Sequence, residues 1–212
     1  MQFRNVLRAL PALALVWCQP AMATTAGGRR ANIDTIIVHA VSGPSCAGGA
    51  VKFSGAPGDA DKWKRFFDRH PFLGIHYVVD RAGTVLASTP EDRVANHALD
   101  NNATSIGIEL VHEGDGREPF GEPQVTALIK LLQGIQQRHG IAIEKIKGHG
   151  DVDTRTMRCG DKVIKGRSDP GPNFPWIRVL SALAPPAAAP PRLLVEPRLV
   201  PAPPYGLNGP RR

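Results

Sequence analysis

Gly148 to Pro172, GHGDVDTRTMRCGDKVIKGRSDPGP, is the stretch on which the reading of this chain turns. A short apolar run ends at His149, a polar segment follows, and an Asp-Pro-Gly-Pro turn occupies Asp169 to Pro172. Such a segment cannot fold on its own hydrophobicity, so another interaction must fix it. Imidazole and carboxylate are ordinary zinc ligands, and a Pro-Gly turn holds a carboxylate in one orientation. The segment therefore reads as half of a metal site, whose other half must come from elsewhere in the chain.

Thr35-Ile36-Ile37-Val38-His39 is a β-branched run that predicts a buried strand with His39 at its end. Ser105 to Val111, SIGIELV, predicts another strand. Its alternation puts Ile106, Ile108 and Leu110 on one face and Glu109 on the other, with Ser105, Gly107 and Val111. Ile143 to Gly148 predicts a short strand that delivers His149. Ile75 to Asp80 and Thr84 to Ser88, separated by Arg81-Ala82-Gly83, predict a hairpin.

Three helices are expected. Asp59 to His70 carries Trp63, Phe66 and Phe67 on one face and is closed by Pro71. Pro123 to His139 has an apolar stripe of Val125, Leu128, Ile129, Leu132 and Ile135, with Pro123 suited to the first turn and Gly140 to the end. Asn173 is expected to cap a last helix carrying Trp176, Val179 and Leu180. Ser42 to Asp59, which includes Cys46, reads as a Gly/Pro/Ser-rich loop.

Of the seven histidines, His70 and His139 fall at helix ends. His112 lies just past a strand, where a solvated ring is expected. His76, beside Tyr77, reads as buried and hydrogen-bonded. His39 and His149 differ: each closes a short apolar run and opens a Gly-rich polar loop. With Asp169 they make a His/His/Asp zinc set with a vacant fourth position.

The motifs TIIVHA, GIHYVVDRAGTV, VANHALDNNATSIGIELV and GHGDVD…GRSDPGPNFPW together resemble the zinc-dependent N-acetylmuramoyl-L-alanine amidases of type 2. That family is related to peptidoglycan recognition proteins and phage amidase lysozymes. The resemblance runs from about Asp34 to Trp176. It implies a mixed α/β fold, a central mixed β-sheet flanked by helices, with zinc in a groove on one face. It implies His39, His149 and Asp169 as metal ligands and Glu109 as the catalytic carboxylate acting on water. A tyrosine does this work in other branches, near the position of Ile75 here. It implies that His97 contacts substrate in the groove. Arg167 stands where the family usually has lysine, and its charge suits an oxyanion-stabilising role. Lys165 is an alternative cation.

Cys159 lies ten residues after His149, where short-loop relatives have their third ligand, and some branches use cysteine there. Asp169 sits in the matching Asp-Pro-Gly-Pro context, and context outweighs spacing because an insertion lengthens a loop easily. In an exported protein Cys46 and Cys159 are then expected to pair, which removes Cys159 as a thiolate ligand.

Export is read from the start of the chain. MQFRNVLRALPALALVWCQPAMA has two arginines, a short apolar stretch and a small-x-small end, as a secretory signal peptide cleaved after Ala23 does. The apolar part is too short to leave a membrane span. Removing Met1 to Ala23 lowers the formal charge from +7 to +5, which suits an anionic polymer but lacks the basic, aromatic-rich stripe of a nucleic-acid binder. Residues 24–32 read as a flexible leader, 33–183 as the catalytic domain and 184–212 as a Pro-rich disordered tail.

The expectation is therefore a periplasmic or secreted monomeric zinc amidase that acts on peptidoglycan or muropeptides. It would cut between N-acetylmuramic acid and L-alanine. The rivals are a non-catalytic peptidoglycan-binding module on the same fold and a zinc peptidase cutting within the stem peptide.

Overall fold

The structure, a computed structural model, describes residues 32–184. The expected signal peptide, and all but one residue each of the expected leader and tail, lie outside the described residues. A five-stranded sheet forms the centre, in the order β5-β4-β6-β1-β7. Its strands are β1 (Thr35–Ala40), β4 (Tyr77–Val79), β5 (Val85–Ala87), β6 (Ser105–Leu110) and β7 (Ile146–Gly148). Strands β4, β6, β1 and β7 run parallel, and β5 joins antiparallel through the hairpin at Arg81 to Gly83. The fold is thus the mixed α/β class read from the sequence.

Parallel strands covered on both faces need apolar residues at nearly every position, and β1 and β6 supply them. Ile36, Val38, Ile106, Ile108 and Leu110 face a core completed by α2 (Glu122–His139) and α4 (Trp176–Leu183). The opposite face packs Val78 and Val111 against Ile75 and against Phe67 of α1 (Ala60–Arg69). Each such side chain, once fully buried, stabilises the fold by about 1.5–3 kcal/mol. Asp59 caps α1 by accepting from the Lys62 N–H, and Gly140 ends α2 in the left-handed region.

Two expectations for single residues are corrected. Asn173 does not cap α4: the helix starts at Trp176, and the Asn173 amide donates to the Glu118 carbonyl at 2.6 Å. Phe174 precedes Pro175, and a residue before proline is pushed out of the helical region. His112 is not solvated but wholly buried, stacked on Phe120 with ring centroids 3.5 Å apart. Its Nδ1 accepts from the Gly114 N–H and its Nε2 donates to the Glu118 carbonyl, because the chain after β6 doubles back over the ring.

The two polar loops are also not structureless. They contain the hairpins β2 (Pro44–Ala47)–β3 (Ala50–Phe53) and β8 (Thr156–Cys159)–β9 (Lys162–Lys165). Both are largely exposed strands that carry little apolar signal, so no periodicity announces them.

Away from the polar loops, Glu91 ties the segment after β5 to the end of α2. It accepts from Tyr77 Oη at 2.6 Å, Arg138 at 2.6 Å and His139 Nε2 at 2.7 Å. Burial raises the Glu91 carboxyl, but the hydrogen bonds from Arg138, Tyr77 and His139 outweigh it and hold the group at about 2. A carboxylate depressed in the folded state stabilises above its unfolded value of 4.5 and loses that contribution as pH falls towards about 2. Glu91→Gln is expected to cost about 1–2 kcal/mol at neutral pH, discounted because Arg138 is half-exposed. Urea melts at several pH values should show the difference from wild type shrinking as pH falls below 4.5.

Candidate metal centre

Register builds the site. His39 and Glu109 are direct partners across β1 and β6, and Val38 pairs with Gly148, so β7 ends where His149 begins. Parallel pairing therefore brings three polar side chains to the carboxyl ends of three adjacent strands, the usual position of a site in an α/β sheet. His149 opens a one-turn helix, α3 (His149–Val152), and Asp169 returns from the other end of the insertion. The Gly150 N–H donates to the Asp169 carbonyl at 3.1 Å and fixes that return.

The three side chains converge. His39 Nδ1 lies 3.0 Å from His149 Nδ1 and 3.2 Å from Asp169 Oδ2, and His149 Nδ1 lies 3.1 Å from the same oxygen. All three residues are buried. Bonds of 2.0–2.1 Å to a tetrahedral zinc ion separate its ligand atoms by about 3.3 Å, so this triangle fits such an ion with little adjustment. Burial lowers the His39 pKa despite the neighbouring Asp169, which favours the neutral imidazole that ligates metals. Burial raises the Asp169 carboxyl, but the His149 and His39 rings outweigh it and hold the group well below the usual range.

Glu109 is buried, and its Oε2 has no hydrogen-bond partner among the described residues. Burial, then the negative charge of Asp169, push its pKa well up, and Arg167 offsets part of this. An orphaned carboxylate oxygen in a buried site calls for a functional reason. Glu109 shares with His39, His149, Asp169, His97 and Arg167 a groove of about 370 Å³, walled on one side by Trp63 and Phe66 of α1. Lys165 lines a different cavity, with its Nζ on the Gly150 carbonyl. His97 lies with Nδ1 3.0 Å from His39 Nε2.

Sequence reasoning passed over Asp153, which is buried with Oδ2 3.8 Å from His149 Nε2. Arg155 binds it and holds its carboxyl at about 2. Its only sequence signal is the cation two residues on.

Cys46 and Cys159 are joined in a disulfide. It links the β2–β3 hairpin to the β8–β9 hairpin, whose turns touch: a side chain at Gly160 would meet the Gly49 carbonyl oxygen at 2.9 Å. The segment between His149 and Asp169 is thus clamped to the loop that leaves His39.

Comparison with known proteins agrees with this geometry. Residues 29–172 match the Amidase_2 family, N-acetylmuramoyl-L-alanine amidase, and the chain belongs to that family. It is 30% identical over 127 residues to the 1,6-anhydro-N-acetylmuramyl-L-alanine amidase AmpD of Enterobacter cloacae, which covers 52% of this chain and 62% of that protein. It is 35% identical over 82 residues to the N-acetylmuramoyl-L-alanine amidase AmiD of Escherichia coli K12, covering 35% of this chain and 26% of that protein. The chain therefore spans less than two thirds of either relative. The fold matches the structure of E. coli AmiD in complex with anhydro-N-acetylmuramic acid-L-Ala-D-gamma-Glu-L-Lys. The TM-score is 0.55 at 24% identity, over 78% of this chain and 61% of that one.

Because the Cys159 sulfur is bonded to Cys46, zinc stoichiometry should not depend on it. The double variant Cys46→Ser, Cys159→Ser is expected to bind as much zinc per chain as wild type. It should lose about 2–4 kcal/mol of stability in urea unfolding. Loss of zinc in this variant would make Cys159 a ligand.

Proposed function

We propose that this chain is an exported zinc amidase that hydrolyses the amide between the lactyl group of N-acetylmuramic acid and L-alanine of the peptidoglycan stem peptide. One observation carries the reading: a complete His39/His149/Asp169 triangle shares a groove with a buried carboxylate oxygen that has no hydrogen-bond partner among the described residues. Membership of the amidase family supports the same reaction. The disulfide supports an oxidising compartment, and the likeness to AmiD agrees with it.

Zinc held by these ligands would polarise the scissile carbonyl and lower the pKa of a water from 15.7 to about 7. Glu109 takes the proton of the attacking water on its free Oε2 and returns it to the departing amine. Its upward-shifted pKa suits a group that must do both. Arg167, at the rim of the groove, contributes positive charge where the carbonyl oxygen becomes an oxyanion. Trp63 and Phe66 offer an apolar wall for the substrate.

Digestion of peptidoglycan with the zinc-loaded protein, followed by mass spectrometry, is expected to release stem peptides beginning at L-alanine. Glu109→Ala should keep about one zinc per chain and lose turnover by about 10²–10⁴-fold. Shortened peptides would make the protein a peptidase, and no product would make it a binding module. Near wild-type turnover in Glu109→Ala would move the base elsewhere.

A further inference from the structure

We infer that the hairpins β2–β3 and β8–β9 form a cationic platform that holds the chain on polymeric, anionic peptidoglycan while the groove takes one stem peptide. The inference rests on the amidase reading above and adds to it the form of the substrate.

The platform is rooted in the rim of the groove. Ser42 and Gly43, just before β2, and Ser54, just after β3, line that groove, as does Arg167, two residues beyond β9. Ser42 Oγ donates to the Ser54 carbonyl and closes the root of the first hairpin. The Gly166 N–H donates to the Arg155 carbonyl at 2.7 Å and closes the second. Further out, the Cys46–Cys159 bridge joins β2 to β8. Apart from Pro44 and Cys159, the residues of these four strands are exposed or half-buried. A cross-linked excursion that adds so little to the core has its purpose at its surface.

That surface is positive. Register places Thr156, Arg158, Val163 and Lys165 on one face of the second hairpin, all of them exposed. Lys162 stands beside its turn and Lys52 on β3, both exposed as well. The first hairpin contains no carboxylate. The second excursion has Asp151, Asp153 and Asp161, of which Asp153 is spent on Arg155. Lys52, Arg158, Lys162, Lys165 and Arg167 are thus left facing only Asp151 and Asp161. On α1, the other wall of the groove, Lys64 and Arg65 are instead paired with Asp68 and Asp61 one turn away.

The outer face of the second hairpin carries no aromatic side chain on which bases could stack, which argues against nucleic acid. Peptidoglycan repeats stem peptides with free carboxylates along each strand. When one stem enters the groove, its neighbours present the complementary charge at the rim. A single released stem has no neighbours to offer. Attraction of this kind is screened by salt, as the Debye length falls from about 10 Å at 0.1 M to about 3 Å at 1 M.

The test uses the full chain in a Glu109→Ala background, so that sacculi are bound but not digested. Co-sedimentation with purified sacculi at low salt compares this parent with two further variants. One adds Arg158→Gln and Lys162→Gln. The other, a control of equal charge loss, adds Lys130→Gln on α2 and Lys145→Gln before β7. The hairpin variant is expected to bind about 3–10-fold more weakly, and the control within about twofold of the parent. At about 1 M salt the difference should vanish. With Glu109 intact, turnover of a soluble single-stem muropeptide should stay within about twofold in both. Equal binding of hairpin variant and parent, or equal losses in hairpin variant and control, would overturn the platform. So would muropeptide turnover that falls in step with sacculus binding, since the two residues would then belong to the groove. Vesicles of phosphatidylcholine with one quarter phosphatidylglycerol should not bind. Hairpin-dependent attachment to vesicles and not to sacculi would give the surface to a membrane instead. Absence of muropeptide turnover in wild type would sink the amidase reading, while the sedimentation still judges the platform.

Discussion

Parallel pairing of β6, β1 and β7 is the constraint from which the rest of the molecule follows. With Val38 opposite both Ile108 and Gly148, the next residue along each strand is His39, Glu109 or His149. A slip of one residue in any pairing would turn one of these side chains to the other face of the sheet. The slip is opposed by Ile36, Val38, Ile106, Ile108 and Leu110, which would leave the core formed with α2 and α4. Hydrophobic burial on one face thereby fixes chemistry on the other.

The fourth component, Asp169, cannot be set by the sheet, because it lies beyond an insertion that contributes little to the core. Its position depends on restraints of another kind. The Gly150 N–H holds its carbonyl, the clamped hairpins limit the insertion, and the Cys46–Cys159 bridge joins the two excursions that leave β1 and β7. Cross-linking a long loop stabilises chiefly by restricting the unfolded chain. It also suits a segment whose polar side chains cannot hold it in place through burial.

Burying His39, His149, Asp169 and Glu109 together costs stability that a hydrophobic cluster of the same size would not. A cation bound at the triangle would return that cost, and a water or substrate beside it would satisfy the Glu109 oxygen that has no partner among the described residues. Glu91, by contrast, is satisfied by Tyr77, Arg138 and His139 and ties the segment after β5 to α2.

The sequence by itself determined the elements whose signals are local. The β-branched run ending in His39, the alternation around Glu109, the aromatic face of α1, the stripe and Gly140 end of α2, and the Asp-Pro-Gly-Pro turn at Asp169 are all contained within short windows. Motif order identified the family and nominated the ligand set. Tertiary structure decided whatever depends on residues far apart. His39 and His149 meet across 110 residues, His39 and His97 across 58, and the cysteines across 113. The burial of His112, the late start of α4 and the two exposed hairpins likewise escaped the sequence, because packing partners and turn contacts set them rather than periodicity.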